Sequence, residues 1–452
     1  MDATSPPRPA NQLRPVLGVA FGVAVTIGST IGVGILRVPG EVAALTGSAA
    51  LTFAVWMFGG LYALLGANYT AELATMMPKA GGPYVYARLA YGEFGGFVVG
   101  FSDWVLNTAA LAFLAIAFGE YMAALLGGGG AGTSVAGAGV LLLLTLLNTR
   151  GIRLGSETQK VTSLVKAAAL LAFVVACLVA EPDVPMRSPL ELEEARRPHA
   201  QFTSLALAFQ LVLGTYGGWN AAIYFAEEDS APARQLPRSL FGGVLLVTSI
   251  YLLVNAGLLT VLPIAAMASS ALPAATAIEA IFGTHSGTLV TVLALLMIVS
   301  IINAGFLTMP RTLFAVSRDR LFPRIGARVN AGGTPVVALM MTSATAVVLA
   351  ATGTFERLLG FYAIVGVLMN LSLVGAVVVL RRRLPTLERP FRTWGYPLTI
   401  VVLAAIDFGV LAGLAIADTA NVMTAIALLA ATYPVYRVVR VPKSLVLDST
   451  RR

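Results

Sequence analysis

Two apolar runs of this 452-residue chain are interrupted by glycine near their middles. The first reads Gly28-Ser29-Thr30-Ile31-Gly32-Val33-Gly34, within residues 16–47. The second reads Gly214-Thr215-Tyr216-Gly217-Gly218-Trp219-Asn220, within residues 202–226. A helix broken there leaves main-chain groups unpaired in hydrocarbon, so such backbone persists only where it lines a cavity. The chemistry on offer is recognition of a zwitterion. N–H groups opening a half-helix, at the positive end of its dipole, suit a carboxylate. Free carbonyls of the preceding half suit an ammonium. Gly32, Val33 and Gly34 are placed to donate N–H groups; Thr30, Gly214 and Gly217 are placed to offer carbonyls. An α-amino acid satisfies both sets at once. Close helix packing through small residues would explain either segment alone. A matched pair of breaks points to a transport site.

Other residues stand out by type and depth. Lys166 falls inside an apolar run, where a lysine costs ~2.5–3.5 kcal/mol on insertion scales. It either faces a cavity or snorkels to the nearer surface. Arg37 and Glu41 are four residues apart, on one helix face, and form either a plain ion pair or an external gate. Glu72 and Glu120 are acids in apolar runs without evident partners, Glu120 near the outer end and solvated, and Asp103-Trp104 reads as polar packing. Glu227, Glu228 and Asp229 lie near Arg234 and Arg238, as a gate network or a solvated helix end. Both histidines, His199 and His285, fall in loops, and no metal-ligand cluster, nucleophile–base set or cofactor motif is present in the sequence. The only cysteine, Cys177, allows no internal disulfide.

The elements that must position these residues are membrane helices. Hydrophobic residues make up 57% and charged residues 12% of the chain, against roughly 25% charged in a soluble domain. Twelve spans are expected, at 16–47, 48–77, 94–126, 132–147, 161–180, 202–226, 240–262, 289–309, 335–351, 358–380, 398–417 and 422–436. With the N-terminus in the cytoplasm, only Arg187, Arg196, Arg197 and Arg357 of the 30 Lys and Arg fall outside, and Arg37 and Lys166 fall within spans. That asymmetry is the positive-inside signature and places both termini in the cytoplasm. The net charge of +8 is therefore directed at anionic headgroups of the bilayer, not at nucleic acid.

The expected architecture is an all-α polytopic membrane protein. Spans 1–5 (residues 16–180) and 6–10 (202–380) form two five-helix units of opposite orientation, because an odd span number inverts the second copy. Residues 1–15 are expected as a disordered cytoplasmic tail, 181–201 as an extracellular loop, 381–440 as two peripheral helices with their leading loop, and 441–452 as a cytoplasmic tail. Residues 274–282 suggest a short interfacial helix or gate.

The chain resembles bacterial members of the amino acid–polyamine–organocation superfamily, most closely the L-type amino acid transporter branch. Gly28 to Ile35 followed by Pro39-Gly40 is similar to the family's unwound carboxylate loop. Pro78-Lys79-Ala80-Gly81-Gly82-Pro83-Tyr84 through Tyr91-Gly92 resembles its second-to-third-span signature. Tyr216-Gly217-Gly218-Trp219-Asn220 with Glu227-Glu228 is similar to the L-type sixth span. Asn303 to Arg311 with Ser317-Arg318-Asp319 resembles the eighth, and Arg381-Arg382-Arg383 through Arg389-Pro390-Phe391 the tenth-to-eleventh loop.

The resemblance implies the leucine-transporter fold, with spans 1 and 6 broken, and alternating access. It implies a substrate site drawn from Thr30, Gly32, Val33, Gly34, Leu213, Gly214, Tyr216, Gly217, Trp219 and Asn220. It also implies that the Lys166 ammonium stands where relatives bind sodium, with Ser300 and Thr308 of span 8 near it. Two positions depart from the branch: Val33 stands where Ser is frequent, and Gly214 where a bulky aromatic gate is usual. Without a cysteine in residues 127–133, a disulfide-linked ancillary subunit is not expected. The expected function is sodium-independent transport of neutral L-amino acids in the cell membrane, by exchange or with proton coupling. A channel would show a filter loop or rings of like charge, and neither is found.

Overall fold

The computed structural model describes residue 13 and residues 18–127, 130–180, 202–283, 286–417 and 419–440. The loop expected at 181–201, the C-terminal tail and both histidines lie outside the described residues. Leu13, placed by the sequence in a disordered tail, is buried beside Ala80 and Phe314.

The first span is two helices, α1 (Val19–Thr30) and α2 (Gly34–Thr46), bent by 50° across Ile31–Val33. Then follow α3 (Ala49–Met76), α4 (Pro83–Leu126), α5 (Ala131–Thr149) and α6 (Ile152–Val179). The sixth segment is helical only as α7 (Phe202–Thr215); after a turn it resumes as a 3₁₀ helix, Ala221–Phe225. Next come α8 (Pro232–Val261), the short α9 (Ile264–Ser269) and α10 (Pro273–Phe282), α11 (Gly287–Arg318), α12 (Val336–Thr352), α13 (Phe355–Arg383), α14 (Leu398–Ala417) and α15 (Thr419–Val439). Nine of these are long and apolar enough to cross a bilayer, and the bent α1–α2 pair makes a tenth. Two shorter apolar helices, Ser204–Thr215 and Val336–Thr352, stand where the sequence expects spans 6 and 9.

Local signals set the ends. Ser48 caps α3 by accepting from the Leu51 N–H, and Thr354 caps α13 by accepting from the Arg357 N–H. Proline opens α4 and α8, where its missing N–H costs nothing. Gly92, at φ 84°, kinks α4 and separates a short amphipathic piece from the span the sequence starts at 94.

Four spans of the first half pack on their counterparts in the second: α2 on α7, α3 on α8, α4 on α11 and α5 on α12. Cross-contacts exchange in the same way, α1 on α8 and α7 on α3, α4 on α13 and α11 on α6. Pairings that recur when the halves are swapped are what an internal structural repeat produces. Helices α14 and α15 pack outside both units, against α13, α3, α7 and α4. One end of the bundle carries Lys79, Arg88, Arg150, Arg318, Arg324, Arg381 and Arg440 in its turns and helix ends. We call it the basic end. The short α9 and α10 lie at the opposite end against α2. A Cβ on Gly40 of α2 would stand 2.7 Å from Pro273 and 2.8 Å from two carbonyls of that cap, so only glycine fits.

Candidate functional site

The two breaks meet. Gly218 lies in the left-handed region, at φ 94°, and a Cβ there would stand 2.6 Å from the Ser29 carbonyl oxygen. No residue but glycine serves both demands. One side chain pins both breaks from α8: the Tyr251 hydroxyl is 2.8 Å from the Thr30 carbonyl and 3.0 Å from that of Thr215, the last residues of α1 and α7. With one proton to give, it shares its donation between two helix ends that would otherwise be unpaired.

Lys166 holds the first break from the other side. Its Nζ donates to the Gly28 carbonyl at 2.8 Å and the Ile31 carbonyl at 2.6 Å. The side chain is fully buried, so it does not snorkel. The sequence places it near the start of a span because the apolar run begins at 161. The helix begins at Ile152, through polar residues, and Lys166 sits at its middle. Burying an ammonium costs several kcal/mol. Two hydrogen bonds to a charged donor return ~1.5–3 kcal/mol each, and the negative end of the α1 dipole adds up to ~2 kcal/mol. Ser300 does not reach Lys166; it bonds Gln159 (3.3 Å) and Thr162 (3.1 Å), other α6 side chains. Thr308 bonds its own helix at Ala304 and faces the central cavity instead.

That cavity, of about 210 Å³, lies between the second break and a wall formed by α4, α11 and α13. Ser29, Leu213, Gly214, Gly217, Trp219 and Asn220 line it. Thr30, Gly32, Val33, Gly34 and Tyr216 are outside its lining. The Thr30 carbonyl is taken by Tyr251, and that of Gly214 by the Gly217 N–H at 3.1 Å. Gly32 abuts Ile301, a cavity-wall residue, and Gly34 abuts Thr215. The N–H groups of Gly32, Val33 and Gly34 donate to no group among the described residues. The Tyr216 ring packs against Trp56 and Tyr251, and its hydroxyl reaches the Trp56 carbonyl at 3.2 Å. A Cβ on Gly214 would meet nothing within 4 Å, so the missing aromatic leaves open space. Arg37 and Glu41 pair at 2.9 Å on exposed α2 surface.

The cavity floor is polar. Asp103 accepts from Tyr224 (2.8 Å), Thr312 (3.1 Å) and Asn107 (3.1 Å), joining α4, the 3₁₀ helix and α11. Below it the basic end is shut by ion pairs. Arg311 and Glu228 form a buried pair, with Arg311 stacked on Phe225. Arg318 pairs with Glu227 at 2.8 Å, while Asp319 takes Arg88 and the Tyr84 hydroxyl. The basic partners of Glu227 and Glu228 thus come from α11, not from Arg234 and Arg238 nearby in sequence, and Glu227 also accepts from the Ala80 N–H at 3.0 Å. Asp229 caps its own turn at Ala231. Glu72 also has partners: Arg381 at 2.6 Å and Arg389 at 3.3 Å.

The sequence profile of the amino acid permease family matches residues 20–435, which span both breaks, the cavity and the ion-paired end. The chain belongs to the amino acid permease family. Among the permease's relatives is the serine/threonine exchanger SteT of Bacillus subtilis (strain 168), 28% identical over 94% of this chain and 97% of the relative. Another is the human large neutral amino acids transporter small subunit 2, 28% identical over 84% of this chain and 72% of the relative. A third is the human b(0,+)-type amino acid transporter 1, 26% identical over 86% and 80%. The permease is therefore a multi-pass membrane transporter of amino acids, related to the L-type branch.

Sequence reasoning missed Tyr251, Tyr224, Thr312 and Asn107 as parts of this permease's site. Each sits in a segment whose local pattern is that of an ordinary membrane helix or turn. The partners of Tyr251, Tyr224 and Thr312 lie 36 to 221 residues away. The one available signal was Asp103 itself, an acid in an apolar run that must find donors.

Proposed function

We propose that the permease exchanges neutral L-amino acids across the cell membrane by alternating access and without sodium. The observation that carries this reading is the Lys166 ammonium on the Gly28 and Ile31 carbonyls. A cation built into the protein braces the broken helix, and no dissolved cation is needed there. The N–H groups of Gly32, Val33 and Gly34, which donate to no other described group, take the substrate carboxylate once the Ile301 side chain beside Gly32 swings aside, and the carbonyls of Ser29 and Gly217 take its ammonium. The side chain points toward Gly214 and the α4–α13 wall. The relatives' names, an exchanger and a neutral amino acid transporter, support the same reading.

In this reading the basic end faces the cytoplasm, by the positive-inside rule. The ion pairs of Arg311, Arg318 and Asp319 then form the closed cytoplasmic gate, and the cavity is the outward-facing stage of the cycle. Cys177 is buried in α6, so no ancillary subunit is disulfide-linked to it.

A thermal-shift series on purified protein tests the zwitterion claim. A ligand at about a hundred times its Kd stabilises by about 2.7 kcal/mol. Neutral amino acids are expected to raise Tm, while their amides and N-acetyl derivatives are not. Gly214→Phe is expected to lose the shift with leucine and phenylalanine and keep it with glycine and alanine. Equal shifts from the blocked derivatives would contradict the reading.

A further inference from the structure

Helix α14 stands outside both five-helix units, yet it carries a fully buried carboxylate, Asp407. Its Oδ1 accepts from the Tyr62 hydroxyl at 2.6 Å and its Oδ2 from Asn370 Nδ2 at 2.6 Å. The same Asn370 amide lies 2.9 Å from the Tyr62 oxygen, and Asn370 Oδ1 accepts from the Tyr69 hydroxyl. The other buried carboxylates are better compensated. Glu72 holds two arginines and Glu228 holds Arg311. Asp103 accepts three hydrogen bonds. Asp407 accepts two, and no Lys, Arg or His pairs with it among the described residues. An ionised carboxylate has about four acceptor positions. Asp407 holds two hydrogen bonds from protein groups in the middle of a membrane helix, where an acid is retained for a role.

The surroundings are equally plain on every side. From α3 the titratable groups facing it are Tyr62 and Tyr69. From α13 there is Asn370, which does not titrate, and Arg381 at the far end is engaged by Glu72. Helix α7 has no charged residue. The charged groups at the basic end of α15 are Arg437, against Tyr433, and Arg440 just past the helix, against Glu93.

Asp407 is buried, but both of its partners line the central cavity. Tyr62 comes from α3, on the side of the breaks. Asn370 comes from α13, the opposite wall. The carboxylate therefore ties the two walls together, and the tie can be reached by a proton from the cavity.

We propose that Asp407 is a proton-binding site, loaded from the central cavity through Tyr62, and that its protonation loosens the tie between the cavity walls. In loading, the Tyr62 hydroxyl passes its proton to Asp407 Oδ1 and takes one from a hydronium on its cavity side, which leaves as water. Release runs the same transfer backwards. No net charge is left on Tyr62. Hydrogen bonds to an ionised carboxylate are roughly twice as strong as neutral ones, so the neutral acid holds α3 and α13 less firmly. The inference uses the proposed amino acid path only for its second readout.

The first readout is infrared difference spectroscopy on the purified full chain. Acidification from about pH 8 to about pH 5.5, the range that brackets a buried carboxyl, is expected to produce a protonated-carboxyl band that Asp407→Asn removes. A carboxyl region in that variant identical to the wild type's, with no band intensity lost, overturns the proposal, whether or not the protein transports. The second readout is amino acid counterflow in proteoliposomes with the same pH on both sides. The wild type is expected to run about three- to tenfold faster at the acid pH. Asp407→Asn, a fixed neutral side chain, is expected to be fast and pH-independent. A variant with the wild-type pH profile contradicts the proposal. If Asp407→Asn does not reach the membrane, Asp407→Glu replaces it. It keeps a carboxyl on a longer arm, so its pH response must have a displaced midpoint. An unchanged midpoint places the proton elsewhere.

Discussion

The Lys166 ammonium and the Tyr251 hydroxyl hold the ends of a helix that stops in the middle of a membrane. Lys166→Met keeps the length and apolar stem and removes the charge. The Gly28 and Ile31 carbonyls are then buried without a donor, at ~1–3 kcal/mol each. A lower Tm and loss of counterflow are expected together, measured on the same preparation. Wild-type values of both would mean that the ammonium braces nothing. The lysine was legible because a charge in an apolar run has few explanations. Its depth was not, because α6 begins in polar sequence that hydropathy assigns to a loop. The glycines were legible as breaks. That Ser29 reaches the cavity wall while Gly32 and Gly34 stand behind Ile301 and Thr215 depends on side chains from α11 and α7. Tyr251 and Asp407 were not legible, since their partners lie in other helices.

At the scale of elements, the basic end is closed by α11 reaching across to the segment after the second break. Arg311 and Glu228 are both almost fully buried. Removing one partner of such a pair strands the other and costs ~3–5 kcal/mol, while replacing both with apolar groups is often neutral. Glu228→Gln is expected to lower Tm sharply, and Glu228→Gln combined with Arg311→Met to recover most of the loss. Melting curves of the three variants in one detergent check this. Strictly additive losses would show that the two residues do not act as a pair. The sequence placed acids and bases in this region correctly but matched them to chain neighbours. Pairing across helices is set by where α11 extends beyond Pro310, and hydropathy ends that span at 309. In span 6 hydropathy errs the other way, because the turn at 216–220 ends the α-helix before the apolar run does.

For the whole molecule, the alternation of basic and uncharged turns, the paired packing of the two halves and the ion-paired basic end form one arrangement. In the proposed reading, a cavity above an ion-paired gate is one stage of a cycle, and the inverted repeat would supply the mirror stage. The fold was legible to this extent because span number, charge asymmetry and the position of the breaks are properties of composition along the chain. The measurement that bears most directly on the account is counterflow of a labelled neutral amino acid in proteoliposomes, with sodium replaced by choline throughout. The account predicts uptake that is accelerated by unlabelled amino acid inside and is the same in choline as in sodium. Uptake that requires sodium, or that is indifferent to internal amino acid, would contradict it.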